Sequence, residues 1–270
     1  DLVGETGEGL FPRDLTGVTG TDFVTAGTGT RSNSAETISV EVPMGATVTD
    51  VYLYWARRIL NPANAPDSEV FVDGSPVSGT IIGGPLETSD NLNTPITYMA
   101  DISDEGLVSA GTSEFTVEDD AGGAEGASVL VFYDDGGAAS DFEFWDGVDF
   151  AWGVTSEPGW RQTTEPVTFA FPASSSDRSA QLVLFVGDVD GSVRPNELDL
   201  TIGGGATQTI DQPFFAKDGQ EWDNYVNTLT IPAGVGQVTV EPISPLDEEN
   251  PSSLVWAAAG LSIEPVEMGG

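Results

Sequence analysis

The chain has 270 residues, a formal net charge of −36 from 44 acidic and eight basic side chains, and neither cysteine nor histidine. Such dense negative charge excludes nucleic acid and anionic lipid as partners, because binding phosphate needs clustered Lys and Arg. The missing residue types exclude disulfides, thiolate chemistry, serine–histidine triads and histidine-bound zinc.

An apolar share of 39% allows a real core and does not fit disorder. The longest apolar runs, Val129 to Tyr133 and Leu182 to Val186, have the length of strands. A membrane helix needs about 20 apolar residues, so no membrane insertion is expected. A start at Asp1 rather than Met fits either a removed signal peptide or a chain trimmed at this end, and a secreted protein is the expectation. Self-repulsion on this scale is tolerable where salt shortens the Debye length to roughly 3 Å, as at 1 M, or where divalent cations bridge carboxylates. A saline or calcium-rich extracellular setting meets both conditions; solubility alone is the plainer reading of the charge.

Taken in order, residues 1–30 form a Gly/Thr-rich arm with one short strand, Asp22-Phe-Val-Thr25. Thr37 to Val42 alternates, with Ile38, Val40 and Val42 on one face, and a period of two marks a half-buried strand. Val51-Tyr-Leu-Tyr-Trp55 is apolar on both faces and reads as a central strand, as do Val129 to Tyr133 and Leu182 to Val186. Asp73-Gly74, after Val70-Phe-Val72, signals a hairpin. Asp101 to Val108 suits a single helical turn. Glu114 to Glu118 alternates with Phe115 and Val117 inward, and Leu198, Leu200 and Ile202 alternate with Asp199 and Thr201.

The two halves repeat this order. Ile38 to Pro43 matches Val167 to Pro172, Val51 to Trp55 matches Leu182 to Val186, and Glu69 to Gly74 matches Glu197 to Gly203. Phe115 to Glu118 then matches Val238 to Glu241, and Ala127 to Val131 matches Ser252 to Trp256. The expectation is an all-β chain of two tandem, internally duplicated antiparallel β-sandwiches, jelly-roll-like in style. The divisions are an arm over 1–30, a first sandwich over 31–150 and a second over 151–270.

Gly45-Ala-Thr-Val, Val51-Tyr-Leu-Tyr-Trp55, Gly126-Ala-Ser-Val-Leu-Val-Phe-Tyr133 and Trp145-Asp-Gly147 together resemble a β-sandwich domain of exported bacterial and archaeal surface proteins. That domain occurs beside adhesin-like repeats and in surface appendages. The second half is similar in Gly187-Asp-Val-Asp190, Trp222-Asp-Asn224 and Ser253-Leu-Val-Trp256. The resemblance runs from Glu36 to Ile263. It implies the fold and an extracellular or cell-surface location, and it brings no catalytic residues.

Without histidine or cysteine, catalysis would fall to paired carboxylates, for which Glu143, Asp146 and Asp149 are the candidates. Their spacing is not the strand-alternating arrangement of jelly-roll glycosidases, and no enzyme is expected. Calcium (Ca²⁺) suits the acids better, since it takes six to eight oxygen ligands from Asp- and Asn-rich loops. Asp188 with Asp190 and the following Glu197 form one candidate set. Asp119 with Asp120 and Asp134 with Asp135, at opposite ends of one strand, form another. Solvated turn charges are the competing reading at each. Trp145, Trp152 and Trp160 fall between the halves, where packing explains them and a sugar-stacking platform for surface polysaccharide is the alternative.

The functional expectation is a structural subunit of an extracellular filament, tube or surface layer, joining to itself head to tail. Asp22, Phe23 and Val24 would add a strand to a neighbour's exposed edge. Arg57 and Arg58 would meet an acidic loop on that neighbour. The alternative is a monomeric calcium-dependent adhesin or carbohydrate-binding module.

Overall fold

The computed structural model describes residues 9–31, 34–59, 68–86, 94–119, 123–153, 162–189, 194–246 and 251–266. Ten strands come first: β1 (Gly9–Pro12), β2 (Asp22–Gly29), β3 (Glu36–Val42), β4 (Thr47–Ile59), β5 (Glu69–Val72), β6 (Ser75–Ser78), β7 (Thr80–Gly83), β8 (Thr94–Asp101), β9 (Gly111–Glu118) and β10 (Ala124–Asp134). Eight follow: β11 (Asp141–Ala151), β12 (Val167–Ala170), β13 (Arg178–Val189), β14 (Glu197–Ile202), β15 (Gln208–Asp211), β16 (Glu221–Ile231), β17 (Gln237–Ile243) and β18 (Leu254–Ile263). One turn of 3-10 helix at Ser103–Glu105 lies in the stretch expected to turn. Asp73 and Gly74 have φ of 47° and 75°, the left-handed pair that a two-residue hairpin requires, and Val72 pairs with Ser75 across them.

Four antiparallel sheets result. Two are five-stranded, in the orders β2-β10-β4-β8-β7 and β1-β11-β18-β13-β16, and two are four-stranded, β3-β9-β5-β6 and β12-β17-β14-β15. Each four-stranded sheet covers one face of a five-stranded sheet. Ile38, Val40, Phe115 and Val117 meet Leu53, Trp55, Val129 and Val131 in the first sandwich. Phe169, Leu198, Val238 and Val240 meet Leu182, Leu184, Trp256 and Leu261 in the second.

The five-stranded sheets then stack on each other through a third core. Phe23, Tyr54, Leu130 and Phe132 from one pack against Phe144, Val183, Phe185 and Trp222 from the other. This explains the strands that are apolar on both faces. In β4, Val51, Leu53 and Trp55 fill the first sandwich, whereas Tyr54 and Ala56 point at the second. β3, on an outer sheet, has one core to serve and therefore alternates, with Ile38, Val40 and Val42 buried and Thr37, Ser39 and Glu41 exposed.

Strand order runs alike in the halves, with β3-β9-β5-β6 mirrored by β12-β17-β14-β15 and β10-β4-β8 by β18-β13-β16. That order is what a duplication would leave, and duplication itself we keep as a proposal. Strand pairing divides the chain differently from sequence position. β11, which falls almost wholly within the span 31–150 given to the first sandwich, pairs with β18 in the second sheet, so a boundary at residue 150 falls within a strand. The described part of the N-terminal arm is divided too: β1 pairs with β11 and β2 with β10.

Candidate functional site

Arg57 and Arg58 sit side by side near the end of β4, and alternation sends them to different layers. Arg57 points into the first sandwich and is 3% exposed. Its Nη2 donates to Asp119 Oδ1 at 2.7 Å and to the Glu69 carbonyl at 2.6 Å. Asp119 Oδ2 in turn accepts the Ala124 N–H at 2.7 Å, fixing the start of β10. Arg58 points between the sandwiches. Its Nε donates to Glu125 Oε1 at 2.7 Å and its Nη1 to Asp188 Oδ2 at 3.0 Å. Arg31, after β2, adds Nη1 bonds of 2.9 and 2.8 Å to the two Glu125 oxygens.

Glu125, Asp188 and Glu221 bring carboxylate oxygens within 4.8 Å of one another, and all three are buried. Each comes from an irregular backbone position. Glu125 is the extra residue where pairing of β10 with β4 shifts between Ala124 and Gly126. Asp188 is the extra residue where β13 shifts against β16, and its φ is 59°. Glu221 opens β16 at φ 66°. Bulges re-aim side chains, and here they turn two carboxylates out of ladder alternation and into the seam.

Burial pushes the Asp188 carboxyl up to about 7; Arg58 opposes this, Glu125 reinforces it, and the Ser253 hydroxyl holds the charged form. Burial also works against charge on Arg58, but Asp188 and Glu125 outweigh it and raise its pKa. Three carboxylates spaced this closely would suit a divalent cation. Arg31 holds Glu125 and Arg58 holds both Glu125 and Asp188, so these two carboxylates already belong to an ion-pair network joining β4 and β10 to β13. A buried network of this kind favours one docking of the two sheets, because a half-made network leaves a desolvated charge unpaired.

A second polar contact fixes another part of the seam. Arg13 Nη1 pairs with Asp146 Oδ2 at 2.9 Å, the Tyr54 hydroxyl donates to the same oxygen at 3.1 Å, and the guanidinium lies 4.5 Å from the Tyr52 ring centroid. Arg178 pairs with Asp141 at 2.9 Å. Thus Arg13, Arg31, Arg57, Arg58 and Arg178, five of the eight bases, are held in ion pairs with carboxylates of the same chain. The outer surface is left more uniformly acidic than composition alone implies.

The other sequence candidates separate. Glu197 lies in β14 on an outer sheet, paired with Asp211 and Ile243, away from the ion-pair network around Asp188. Asp134 Oδ1 and Asp135 Oδ1 accept the Gly136 and Gly137 N–H groups at 2.8 Å, which closes the exposed turn after β10. Asp120, Asp190 and Trp160 lie outside the described residues. Glu143 accepts the Ala170 N–H at 2.9 Å, and Asp149 accepts the Phe150 and Glu165 N–H groups at 2.7 and 2.6 Å. With Asp146 taken by Arg13 and Tyr54, the three β11 acids do not converge on a common point. Arg57 and Arg58, expected to meet a neighbour, are engaged within the chain because they are desolvated and need internal counter-charges. Asp22, Phe23 and Val24, expected to reach a neighbour's edge, pair with Tyr133, Phe132 and Val131, and Phe23 is 1% exposed in the shared core.

No protein-family model matches the chain, and no curated protein is similar to it. Among solved structures it is similar to the plant assembly of FER and LLG2 with the peptide RALF23, at 10% identity, with 93% of this chain and 90% of that chain covered and a TM-score of 0.28. It is similar to the turret protein A223 of Sulfolobus turreted icosahedral virus at 11% identity, 90% and 98% coverage and a TM-score of 0.21. The structure of infectious bursal disease virus Gx strain gives 11% identity, 100% and 77% coverage and a TM-score of 0.23. Scores this low carry no argument about this chain.

Proposed function

We propose that the chain is a non-enzymatic structural subunit of an extracellular filament, tube or surface layer, assembling through β-strand contacts. The observation that supports this reading is the fusion of two sandwiches into one four-layer block by a shared apolar core, with sheet edges left along its flanks. A block of this kind keeps its edges in fixed relative positions, which a repeating contact requires. Internal pairing of most bases leaves an acidic exterior, so copies meet only where salt or cations screen their repulsion.

Electron microscopy with sedimentation velocity, across 0.1 to 2 M KCl and with added calcium, tests the reading. Ordered polymers or discrete oligomers that grow with ionic strength are expected. Single dispersed particles under every one of these conditions would overturn it.

A further inference from the structure

A sheet edge displays unpaired backbone groups, and proteins blunt such edges with charge, proline or short length. Among the described residues, seven of the eight sheet edges show such devices or lie against a neighbouring strand. β1, β6, β7, β12 and β15 have four residues each. β1 ends in Pro12, β6 contains Pro76, and the Glu143 carboxylate takes the Ala170 N–H of β12. β3 carries Glu36 and Glu41. β2 runs beside β16, where the Gly29 N–H donates to the Asp218 carbonyl at 2.9 Å.

β16 differs. It is 11 residues long and, among the described residues, ladders only with β13; its first residues meet β2, where a Cβ on Gly27 would lie 2.8 Å from Asn224 Cβ, so the open stretch is the part that follows. From Tyr225 to Ile231 it reads Tyr-Val-Asn-Thr-Leu-Thr-Ile, with no charge, proline or glycine, in a chain of net charge −36. Two hydrogen bonds fix which backbone groups face outward. The Asn224 N–H is turned away from β13 and donates to Asp218 Oδ2 at 2.8 Å. Ser179, opposite Thr230, directs its own N–H and C=O toward Glu264 on the other side. Alternation then turns the N–H and C=O of Val226, Thr228 and Thr230 out of the sheet, and all three side chains are exposed.

We infer that this edge is where a second copy of the chain docks, β16 against β16 in antiparallel register about Thr228. The inference rests on the assembly reading above and names its contact. Self-complementarity selects the second copy as occupant. With Thr228 opposite Thr228, Val226 meets Thr230, and each outward N–H faces an outward C=O of the partner. Thr–Thr and β-branched cross-strand pairs are favourable on such a seam. Charge points the same way, since Tyr225 to Ile231 itself brings no carboxylate to the strand contact between two polyanions. The two β1-β11-β18-β13-β16 sheets would become one continuous sheet across a two-fold axis.

Two variants test this by sedimentation velocity in 2 M KCl. Thr228→Pro removes an outward N–H that makes no internal ladder bond, so the subunit keeps its fold while the seam loses its centre. Val226→Asp places a charge on each side of the seam, close to the two-fold axis. Each is expected to weaken self-association roughly tenfold or more, which corresponds to about 1.4 kcal/mol. Wild-type protein that associates while either folded variant stays monomeric supports the edge. Association unchanged in both variants overturns it and leaves the assembly reading standing. Wild-type protein that is monomeric at every salt concentration overturns both.

Discussion

Arg58 on β4 and Asp188 on β13 meet across the seam between the two sandwiches at 3.0 Å, with the Asp188 side chain 1% exposed. The pair connects residues that strand pairing assigns to different sheets. Removing the guanidinium would take this partner from Asp188, while Arg31 would still hold Glu125.

Arg58→Ala should therefore destabilise the fold by roughly 3–5 kcal/mol, the usual cost of stranding buried charge. Denaturant unfolding at fixed salt measures it. Adding Asp188→Asn to Arg58→Ala should recover part of the loss, because one of the stranded charges is then gone. A double variant less stable than Arg58→Ala would contradict the network.

The same carboxyl should make stability depend on pH. With Asp188 held up at about 7 by burial, the folded state binds its proton more tightly than the unfolded chain, whose value lies near 3.8. The resulting stability is fully present below that unfolded value and is lost as pH rises through about 7. Asp223, raised by burial to about 6, acts in the same direction. The melting temperature should be higher at pH 6 than at pH 8. Asp188→Asn, which tolerates the left-handed backbone there, should flatten that slope. An identical slope in the variant would place the proton elsewhere.

Shape matters at the seam as much as charge. A Cβ on Gly126 would lie 2.4 Å from Trp222 Cγ. Trp222 is fully buried, and its indole N–H donates to Ser128 Oγ on β10 at 2.9 Å. Gly126→Ala should cost about 1–3 kcal/mol through overpacking. Gly204→Ala, where a Cβ meets nothing within 4 Å, serves as the matched control.

The shared core also predicts one unfolding transition. Tryptophan fluorescence and far-UV dichroism should report the same midpoint for both sandwiches, because neither can expose its inner sheet alone without exposing Phe144, Phe132 or Phe185. Two separated midpoints would show that the core does not couple them.

Raising KCl from 0.1 to 1 M shortens the Debye length from about 10 to about 3 Å. With a net charge of −36, the melting temperature should climb across that range. A fall would mean that screening of the internal ion pairs outweighs relief of surface repulsion.

Strands were legible in the sequence because burial leaves a period. Ile38, Val40 and Val42 advertise one buried face, and Asp73-Gly74 advertises its turn. The doubly apolar runs identified the central strands correctly, but they did not say what the second face meets. That required the stacking of the sandwiches, which residue spacing does not encode. The ion-pair network was hidden for a related reason. Glu125 and Asp188 reach the seam through bulges and a left-handed backbone, whereas alternation, the one rule available from sequence, predicts regular strands. Asp188 stood out beside Asp190 as a loop carboxylate. Its partners Glu125 and Arg58 lie 63 and 130 residues earlier in the chain, and no local pattern links them.

The layering has an evolutionary corollary. Inner strands such as β4 and β13 have no solvent face across their central stretches, so nearly every substitution there is tested by one core or the other. β3 and β12 offer alternate positions that face solvent and serve neither core. Drift in what the molecule displays to its surroundings is thereby confined to the outer sheets, the edges and the loops. The middle of the block can stay constant while its exterior diverges, and relatives of this chain would be recognised by their interior pattern before their surface.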